Sequence, residues 1–271
     1  MMHAGGIVTL TTDFGLRDSY VAQMKGMILR TALRVTIVDV THAISRHSII
    51  QAAFVIADLW RMYPDGTAHI VVVDPGVGTD RRPIALEVDG QYFVGPDNGL
   101  FSHILDAAER EGLTWRGVVL TNPDYWRTRE VSATFHGRDI FAPAAAHLVN
   151  GTHLPHLGDP LNTPIRLTLP SYAESAGTIR GEIIYVDSFG NCVSNIPARV
   201  LPSPGTPGVA IACGGLAALP FAPTYGMVSE EHPLALIGSH GYLEIAVRQG
   251  NAAHEFGVDS GTPVFVSGLA S

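Results

Sequence analysis

Residues 69–82, HIVVVDPGVGTDRR, decide how the first half of the chain folds. His69–Val73 is a short run of almost only apolar residues, which is typical of a strand covered on both faces of a parallel sheet. The run stops at Asp74, and a loop with Gly76 and Gly78 follows. We therefore predict a buried strand that carries a carboxylate to the edge of a sheet.

Strands and helices alternate around this segment. Ile7–Leu10 and Val35–Val38 are further short apolar runs. Apolar residues recur at helical spacing in two other segments, Val21–Leu29 and Ile49–Met62. Such alternation predicts an α/β fold, with a mainly parallel sheet, right-handed crossovers and flanking helices.

A hairpin continues this half. Asp89-Gly90 separates the apolar runs Ile84–Val88 and Tyr92–Val94, which is a strong signal for a two-residue turn. The other predicted elements are a strand at Val118–Leu120 and helices at about Leu100–Glu111 and Arg138–Val149.

The character of the chain changes after the last of these helices. Residues 153–175 contain four prolines and several small polar residues, which indicates a linker or domain boundary. The later apolar segments are short, lack a helical period and predict a small all-β barrel or sandwich. These segments are Gly181–Val186, Val193–Ile196, Val209–Ala212, Leu234–Ile237, Tyr242–Val247 and Val264–Val266. We predict an α/β domain at residues 1–165 and a β domain at residues 176–271.

The composition argues against several classes of protein. Hydrophobic residues make up 46% of the 271 residues and charged residues 15%, which is enough apolar material for a full core. The net charge is −8 and no run of Lys or Arg forms a basic stripe, so we expect no nucleic-acid partner. No apolar run is long enough to cross a bilayer and the N-terminus has no signal-peptide pattern, so we expect no membrane association.

Cysteine and histidine usage predicts neither a redox motif nor a metal site. Cys192 and Cys213 form no CxxC pair, and two unpaired cysteines fit a reducing cytoplasm. The twelve histidines include no HExxH, and His153 and His156 flank a proline in the boundary segment.

Two loops that follow predicted strands begin with a carboxylate, Asp13 in Thr11–Gly15 and Asp74 in residues 74–82. Ligands of open parallel sheets bind at the carboxyl ends of the strands. Each loop can also be an ordinary tight turn with a solvated carboxylate, although Arg81 and two glycines follow Asp74 closely. The Asp74 loop matches neither the GxxxxGK(S/T) phosphate-binding loop nor the GxGxxG dinucleotide-binding pattern. Ribose or a cationic group therefore suits it better.

Three further loops combine polar side chains with a glycine. They are Phe135–Asp139, Asp187–Asn191 and Ser239–Glu244. His136 can be a hydrogen-bonded structural residue or can orient a proton near neutral pH. Arg138 and Asp139 can form a structural pair or cap a helix. Composition alone leaves ligand contacts and plain turns equally open for the two later loops.

Taken together, six segments resemble one family. They are Thr11–Gly15, Val73–Thr79, Gly95–Gly99, Phe135–Phe141, Asp187–Asn191 and Gly241–Ala246. In this order, and through both halves of the chain, they resemble the S-adenosyl-L-methionine (SAM) hydroxide adenosyltransferase family. Its members are SAM hydrolases and are related to fluorinating and chlorinating enzymes that use SAM.

The resemblance implies an N-terminal α/β domain, a C-terminal β-barrel and a homotrimer with its sites at subunit interfaces. It implies hydrolysis of SAM to adenosine and L-methionine by attack of water at C5′, a nucleophilic substitution. SAM is then the substrate, and no metal or other cofactor is expected.

The resemblance also implies site residues. The catalytic set is Asp74, Arg81 and His136. Halogenating relatives carry Tyr in place of Asp74 and His136, and Ser in place of Gly137, so this chain departs from them. The implied substrate-binding residues are Asp13 at the ribose hydroxyls, Asp187, Asn191, Ser239 and Glu244 at the methionine part and nucleoside, and Ala252 at the adenine. His240 stands where halogenases have Arg, and its role is open.

Two alternatives remain beside the hydrolase: a SAM-dependent halogenase, and a SAM- or adenosine-binding protein without turnover. A Rossmann oxidoreductase is disfavoured because GxGxxG is missing. For the hydrolase, we expect Asp74 to position the water and accept its proton. We expect Arg81 to orient Asp74 and lower its pKa, and His136 to complete the network and relay the proton.

Overall fold

In the computed structural model, which describes residues 6–168 and 170–269, the chain divides into two units, Met1–Leu167 and Thr168–Ser271. The elements of the first unit are β1 (Ile7–Thr12), α1 (Tyr20–Thr31), β2 (Thr36–Thr41), α2 (Ile49–Leu59), β3 (Ala68–Val72), β4 (Pro83–Val88), β5 (Gln91–Pro96), α3 (Ser102–Glu111), β6 (Trp115–Val119), α4 (Ala142–Val149) and β7 (Asp159–Pro160).

The strands of the first unit form one sheet, in the order β2-β1-β3-β5-β4-β6-β7. The first four run parallel. Helices α1 and α2 make the crossovers from β1 to β2 and from β2 to β3, whereas β4 connects β3 to β5. The direction reverses at β4 because Asp89-Gly90 closes a two-residue hairpin with β5. Both turn residues have positive φ (48° and 76°), which matches the twist of a hairpin of this length.

Strand β3 separates two apolar cores. Ala68, Ile70 and Val72 pack on the side of α1 and α4, whereas Val71 and Val73 pack on the side of α2 and α3. All five are buried, which explains why the strand reads as a continuous apolar run. Burial of each large aliphatic side chain contributes about 1.5–3 kcal/mol.

The register of β1 and β3 places the two predicted carboxylates at one edge of the sheet. Thr12, the last residue of β1, pairs with Val72, the last residue of β3. Asp13 follows Thr12 directly, and Asp74 follows Val72 after one residue. Because the two strands are parallel neighbours, both side chains leave the sheet at its carboxyl edge.

The second unit is an antiparallel barrel. Its elements are β8 (Ala173–Ser175), β9 (Thr178–Val186), β10 (Cys192–Pro197), β11 (Ala210–Cys213), β12 (Leu216–Leu219), β13 (Pro233–Ile237), β14 (Tyr242–Val247), α5 (Ala252–Phe256) and β15 (Pro263–Ser267). The sheet order is β12-β11-β15-β9-β10-β14-β13, and β8 pairs with β9. Phe221, just after β12, bridges to Ala235 in β13, so the two ends of the sheet meet.

The predicted fold class, an α/β unit followed by a small all-β barrel, is confirmed. Some local predictions were wrong. The helix predicted at Arg138–Val149 begins instead with a π-helical turn, Gly137–Phe141, before α4. Helix α5 was not predicted, because five residues are too few to show a helical period.

The segment predicted as a linker or domain boundary, residues 153–175, packs against the protein at both ends. Leu154 and Leu157 are buried in a short helical turn, and β7 adds to the edge of the first sheet. At the other end β8 pairs with β9. The prolines of this segment therefore indicate irregular backbone. The division between the two units, at 167/168, lies inside the segment. No helix in the described part of the chain is long and apolar enough to cross a membrane.

A buried polar chain crosses the first sheet at His69, which is fully buried. The amide nitrogen of Gln91 donates to the carbonyl of Tyr63 (3.1 Å), so its oxygen accepts from Nε2 of His69 (2.7 Å). That leaves Nδ1 to accept from the hydroxyl of Thr9 (2.8 Å). Every polar atom of the ring is satisfied in its neutral form, which is the condition for burying it.

We expect His69 to make the protein sensitive to acid. Burial lowers the pKa of folded His69 to about 4, against 6.5 ordinarily. Between these values the unfolded chain binds the extra proton, so the stability contribution of His69 is complete above about pH 6.5 and falls by roughly 2–3 kcal/mol towards pH 4.5. Urea unfolding of the wild type and His69→Gln at both pH values measures this. A stability difference that did not change with pH would contradict it.

Candidate active site

A cavity of about 350 Å³ opens at the carboxyl edge of the first sheet. Asp13, Asp74 and His136 all line it, together with aromatic side chains. Phe14, Tyr20 and Phe135 contact one another edge to face, with ring centroids 5.2–6.0 Å apart. Sequence reasoning missed this aromatic wall, because its members lie on three separate segments and share no spacing.

The loop after β3 folds back so that Arg81 reaches Asp74. The amide of Val77 donates to the carbonyl of Asp74 (3.3 Å), and the hydroxyl of Thr79 donates to the carbonyl of Gly76 (2.7 Å). Gly78 has φ of +78°, and a Cβ there would overlap the carbonyl oxygen of Ala133. Glycine is therefore required at this point for both the conformation and the close approach.

Asp74 and Arg81 form a buried, two-point ion pair. Nε of Arg81 donates to Oδ1 (3.1 Å) and Nη2 donates to Oδ2. The side chains are only 5% and 6% exposed. The neighbouring Arg82 instead pairs with Asp97, so Arg81 is the arginine that the fold brings to Asp74. Nη1 of Arg81 is buried and has no hydrogen-bond partner among the described residues.

Arg81 also joins His136 to this pair. Its Nη2 lies 3.1 Å from Nδ1 of His136. A guanidinium can only donate, so Nδ1 accepts, and the proton of the neutral ring resides on Nε2. His136 immediately precedes the π-helical turn, and such turns often occur at functional sites.

Burial governs the protonation of both groups. It raises the pKa of the Asp74 carboxyl above its ordinary value, against the opposing effects of Arg81 and His136. It lowers the pKa of His136, and the charge of Arg81 lowers it further. The expectation that Arg81 would leave Asp74 with a lowered pKa is therefore wrong, because the cost of desolvating the carboxylate is larger.

Asp139 holds the segment that carries His136, and sequence reasoning treated it only as a structural pair or helix cap. It is fully buried and accepts from Nε of Arg127 (2.5 Å), Nε of Arg138 (2.6 Å) and the amide of Ser132 (2.8 Å). Burial raises its pKa, but these hydrogen bonds outweigh burial and lower it to about 2. Asp139 therefore stays ionised and ties the loop before His136 to the helix after it.

In the second unit, Asp187 and Asn191 form one hydrogen-bonded turn. The amide and side-chain nitrogens of Asn191 donate to the two carboxylate oxygens of Asp187, at 2.8 and 3.0 Å. The carbonyl of Gly190 accepts from the amide of Ala253 (3.0 Å). This contact brings the turn beside α5, whose first residue is the buried Ala252.

Glu244 lies in a second polar cluster of this unit. It is 4% exposed and accepts from the hydroxyl of Tyr225 (2.6 Å), and Nε2 of His240 lies 3.2 Å away. Burial and then the carboxylates of Glu244 and Asp187 raise the pKa of Tyr225, so it keeps the proton it donates. Ser239 is exposed in the adjoining turn. Tyr225 was missed because its loop has no strand or helix spacing.

Within residues 6–168 and 170–269, no group of three or more His, Cys, Asp or Glu side chains is arranged to hold a metal ion.

Comparisons with known proteins agree with this organisation. The family model of the SAM hydroxide adenosyltransferase N-terminal domain matches residues 8–158, and that of the C-terminal domain matches residues 181–265. The chain is 38% identical to a protein of Salinispora tropica named (R)-S-adenosyl-L-methionine hydrolase, over 94% of this chain and 95% of that one. A fluorinase of an Actinoplanes species is 27% identical, over 96% and 97% of the two chains.

A solved structure has the same fold. The crystal structure of an uncharacterized conserved protein from Thermotoga maritima superposes with a TM-score of 0.86, at 33% sequence identity. The alignment covers 96% of this chain and 99% of that one.

We expect the contributions of Asp74 and Arg81 to stability to be strongly coupled. Arg81→Met leaves the carboxylate of Asp74 buried without its partner, which should lower the free energy of unfolding by about 3–5 kcal/mol. Adding Asp74→Asn to it should restore part of that loss. Urea denaturation of the two single variants and the double variant measures the coupling.

The control is Arg129→Met, because Arg129 and its partner Asp124 are both mostly exposed. This variant should unfold at nearly the wild-type urea concentration. If the double variant were as unstable as the sum of the two single variants, the pair would not be coupled.

Proposed function

Because the chain belongs to the SAM hydroxide adenosyltransferase family, as its match to both domain models shows, we propose that it hydrolyses SAM to adenosine and L-methionine. The observation that carries the proposal is the buried Asp74–Arg81 pair joined to His136 at the edge of a cavity. The relatives named hydrolase support the same reaction.

The reaction needs a held water rather than a strong nucleophile. In SAM the sulfonium activates C5′, because methionine leaves as a neutral thioether. The oxygen of water forms the new bond to C5′ as the bond from C5′ to sulfur breaks. The water loses one proton, so a nearby base is required.

Asp74 is the base in this proposal. Each of its oxygens accepts one hydrogen bond from Arg81 and keeps a lone pair that can accept another from water. Its raised pKa makes it a better proton acceptor than an ordinary aspartate. The two hydrogen bonds from Arg81 hold this carboxylate in one orientation.

His136 acts as a donor in this arrangement. Its Nδ1 is occupied by Arg81, so Nε2 presents the proton. Its lowered pKa keeps the ring neutral near pH 7. The ring can therefore orient the water by donating from Nε2, without adding a second positive charge beside the sulfonium.

Alignment of the reacting groups supplies much of the remaining reduction of the activation barrier. Holding water and C5′ in line inside a site can contribute up to about 7–11 kcal/mol in the best-oriented cases. The carboxylates of Asp13 and Asp74 favour a cationic substrate. A cavity walled by Phe14, Tyr20 and Phe135 limits the water around the reacting carbon.

The substrate-binding residues are also proposals. Asp13 binds the ribose hydroxyls, and Ala252 lies at the adenine. Asp187, Asn191, Ser239 and Glu244 hold the methionine part and the nucleoside. The hydrogen-bonded clusters around Asp187 and Glu244 support this, because carboxylates held by fixed donors are pre-organised for polar ligands.

The halogenase alternative is disfavoured at Gly137. A Cβ added there would lie 3.2 Å from Sδ of Met24 and 3.3 Å from the ring of Phe135, so a serine would require both neighbours to shift. The intact set of Asp74, Arg81 and His136 argues against a binding protein without turnover, because ligand binding alone does not require these three groups together.

We further propose a homotrimer with sites at its subunit interfaces and a cytoplasmic location. The family resemblance supports the trimer, and the two free, buried cysteines fit a reducing compartment. Light scattering on the purified protein tests the assembly, and a mass of one or two chains would contradict it.

The decisive test is incubation with SAM in ¹⁸O-water at varied chloride, read by mass spectrometry. We expect ¹⁸O-labelled adenosine together with unlabelled methionine, since water supplies the new oxygen at C5′. The amounts of both products should not depend on chloride. Unchanged SAM would favour the binding protein, and 5′-chloro-5′-deoxyadenosine that rises with chloride would favour the halogenase.

Asp74→Asn should lower kcat by about 10²–10⁴-fold, because it removes the proton acceptor. Asp80→Asn is the matched control, since Asp80 is an exposed aspartate of the same loop. In the wild type, kcat should fall on the acid side with a midpoint above 3.8, the ordinary pKa of aspartate, because only ionised Asp74 accepts a proton. Near-normal turnover by Asp74→Asn would overturn the assignment.

A finer proposal concerns the configuration at the sulfur of SAM. The name of the Salinispora relative specifies the (R) epimer of SAM, and we propose the same preference here. Separate assays with the two epimers should give kcat/KM for (R) larger by roughly tenfold or more, since shape differences in a pocket give 1–3 kcal/mol. Equal values for the two epimers would contradict it.

A further inference from the structure

The loops after β1 and β2 are hydrogen-bonded to each other at the edge of the cavity. The amide of Ile44 donates to the carbonyl of Thr12 (3.3 Å), and the amide of Gly15 donates to the carbonyl of His42 (2.7 Å). Asp13 lies between these two contacts in the first loop. The second loop therefore runs alongside Asp13 from the neighbouring parallel strand.

His47, in this second loop, has an unusual backbone. Its φ is +65°, in the left-handed region that residues other than glycine rarely adopt. Ser48 next to it caps α2, where its hydroxyl accepts from the amide of Gln51 (3.3 Å). The amide of Ser48 also donates to the carbonyl of Ser45 (2.9 Å), which closes a turn just before the helix. The helix cap and this turn hold His47 in place.

This conformation directs the backbone amide of His47 at Asp13. The amide donates to Oδ2 of the carboxylate at 2.9 Å. Among the described residues, no other hydrogen bond to this carboxylate is present. A single charge-assisted bond therefore sets the direction of a side chain that would otherwise rotate freely. Oδ1, and the second lone pair of Oδ2, remain available to a ligand.

We infer that His47 is a positioning residue, whose strained backbone amide fixes Asp13 in the orientation that accepts two neighbouring hydroxyls of a ribose. Strain retained at a ligand site is often part of how the site is pre-organised. This inference rests on the proposed function, because it takes Asp13 as the ribose contact. His47 also lines the cavity, so the test must separate the backbone from the side chain.

Two substitutions make that separation. His47→Asn removes the imidazole but keeps the amide, and Asn accepts the left-handed conformation better than most residues. His47→Val keeps an amide, but a β-branched residue is strongly disfavoured there, so the backbone must move and carry its N–H away from Asp13. Each variant is titrated calorimetrically with adenosine and with 2′,3′-dideoxyadenosine, which lacks both ribose hydroxyls.

We expect His47→Val to weaken adenosine binding by about tenfold, the worth of one hydrogen bond to a charged group. His47→Asn should stay within about twofold of the wild type. The dideoxy analogue should bind all three proteins with equal affinity, because the oriented carboxylate has nothing to accept from it. In turnover assays, His47→Val should raise KM for SAM more than it lowers kcat.

Three results would overturn the inference while leaving SAM hydrolysis intact. Equal weakening in both variants would assign the contact to the imidazole. Equal weakening towards both ligands would mean a general distortion of the cavity. Unchanged adenosine binding in His47→Val would mean that the amide does not matter. Wild-type protein that neither binds adenosine nor hydrolyses SAM would overturn the proposed function as well.

Discussion

The parallel pairing of β1 with β3 is the constraint on which the site depends. Because Thr12 pairs with Val72, the residues that follow both strands emerge at the same edge of the sheet. Asp13 and Asp74 are 61 positions apart in the chain, yet they line one cavity. The apolar cores on the two faces of β3 hold this register, since a slip of one residue would send every side chain of the strand into the opposite core.

Burial gives the Asp74–Arg81 pair its chemical character. In water, a carboxylate beside a guanidinium is a weaker base than a free one. Here desolvation raises the pKa of Asp74 despite the arginine, and the same burial keeps His136 neutral. The buried pair thus presents a proton acceptor in a fixed orientation. A cationic substrate would contact carboxylates in a cavity that has aromatic walls.

Residues behind the reacting groups explain why the site is held in place. Asp139 accepts hydrogen bonds from three residues and joins the loop before His136 to the helix after it. The amide of His47 orients Asp13. Both act through hydrogen bonds to backbone or to residues distant in the chain. Spacing in the sequence cannot reveal such partners, because the loops that supply them meet only when the sheet forms.

The sequence by itself determined the alternation of strands and helices, the Asp89-Gly90 hairpin and the loops that carry Asp13, Asp74 and His136. These features depend on local periodicity and turn chemistry, which neighbouring residues specify. Only the tertiary structure decided that the pKa of Asp74 rises, that Asp139 anchors the loop before His136, and that Tyr225 donates to Glu244. Desolvation and long-range contacts depend on the packed environment, and no single segment of the chain contains that information.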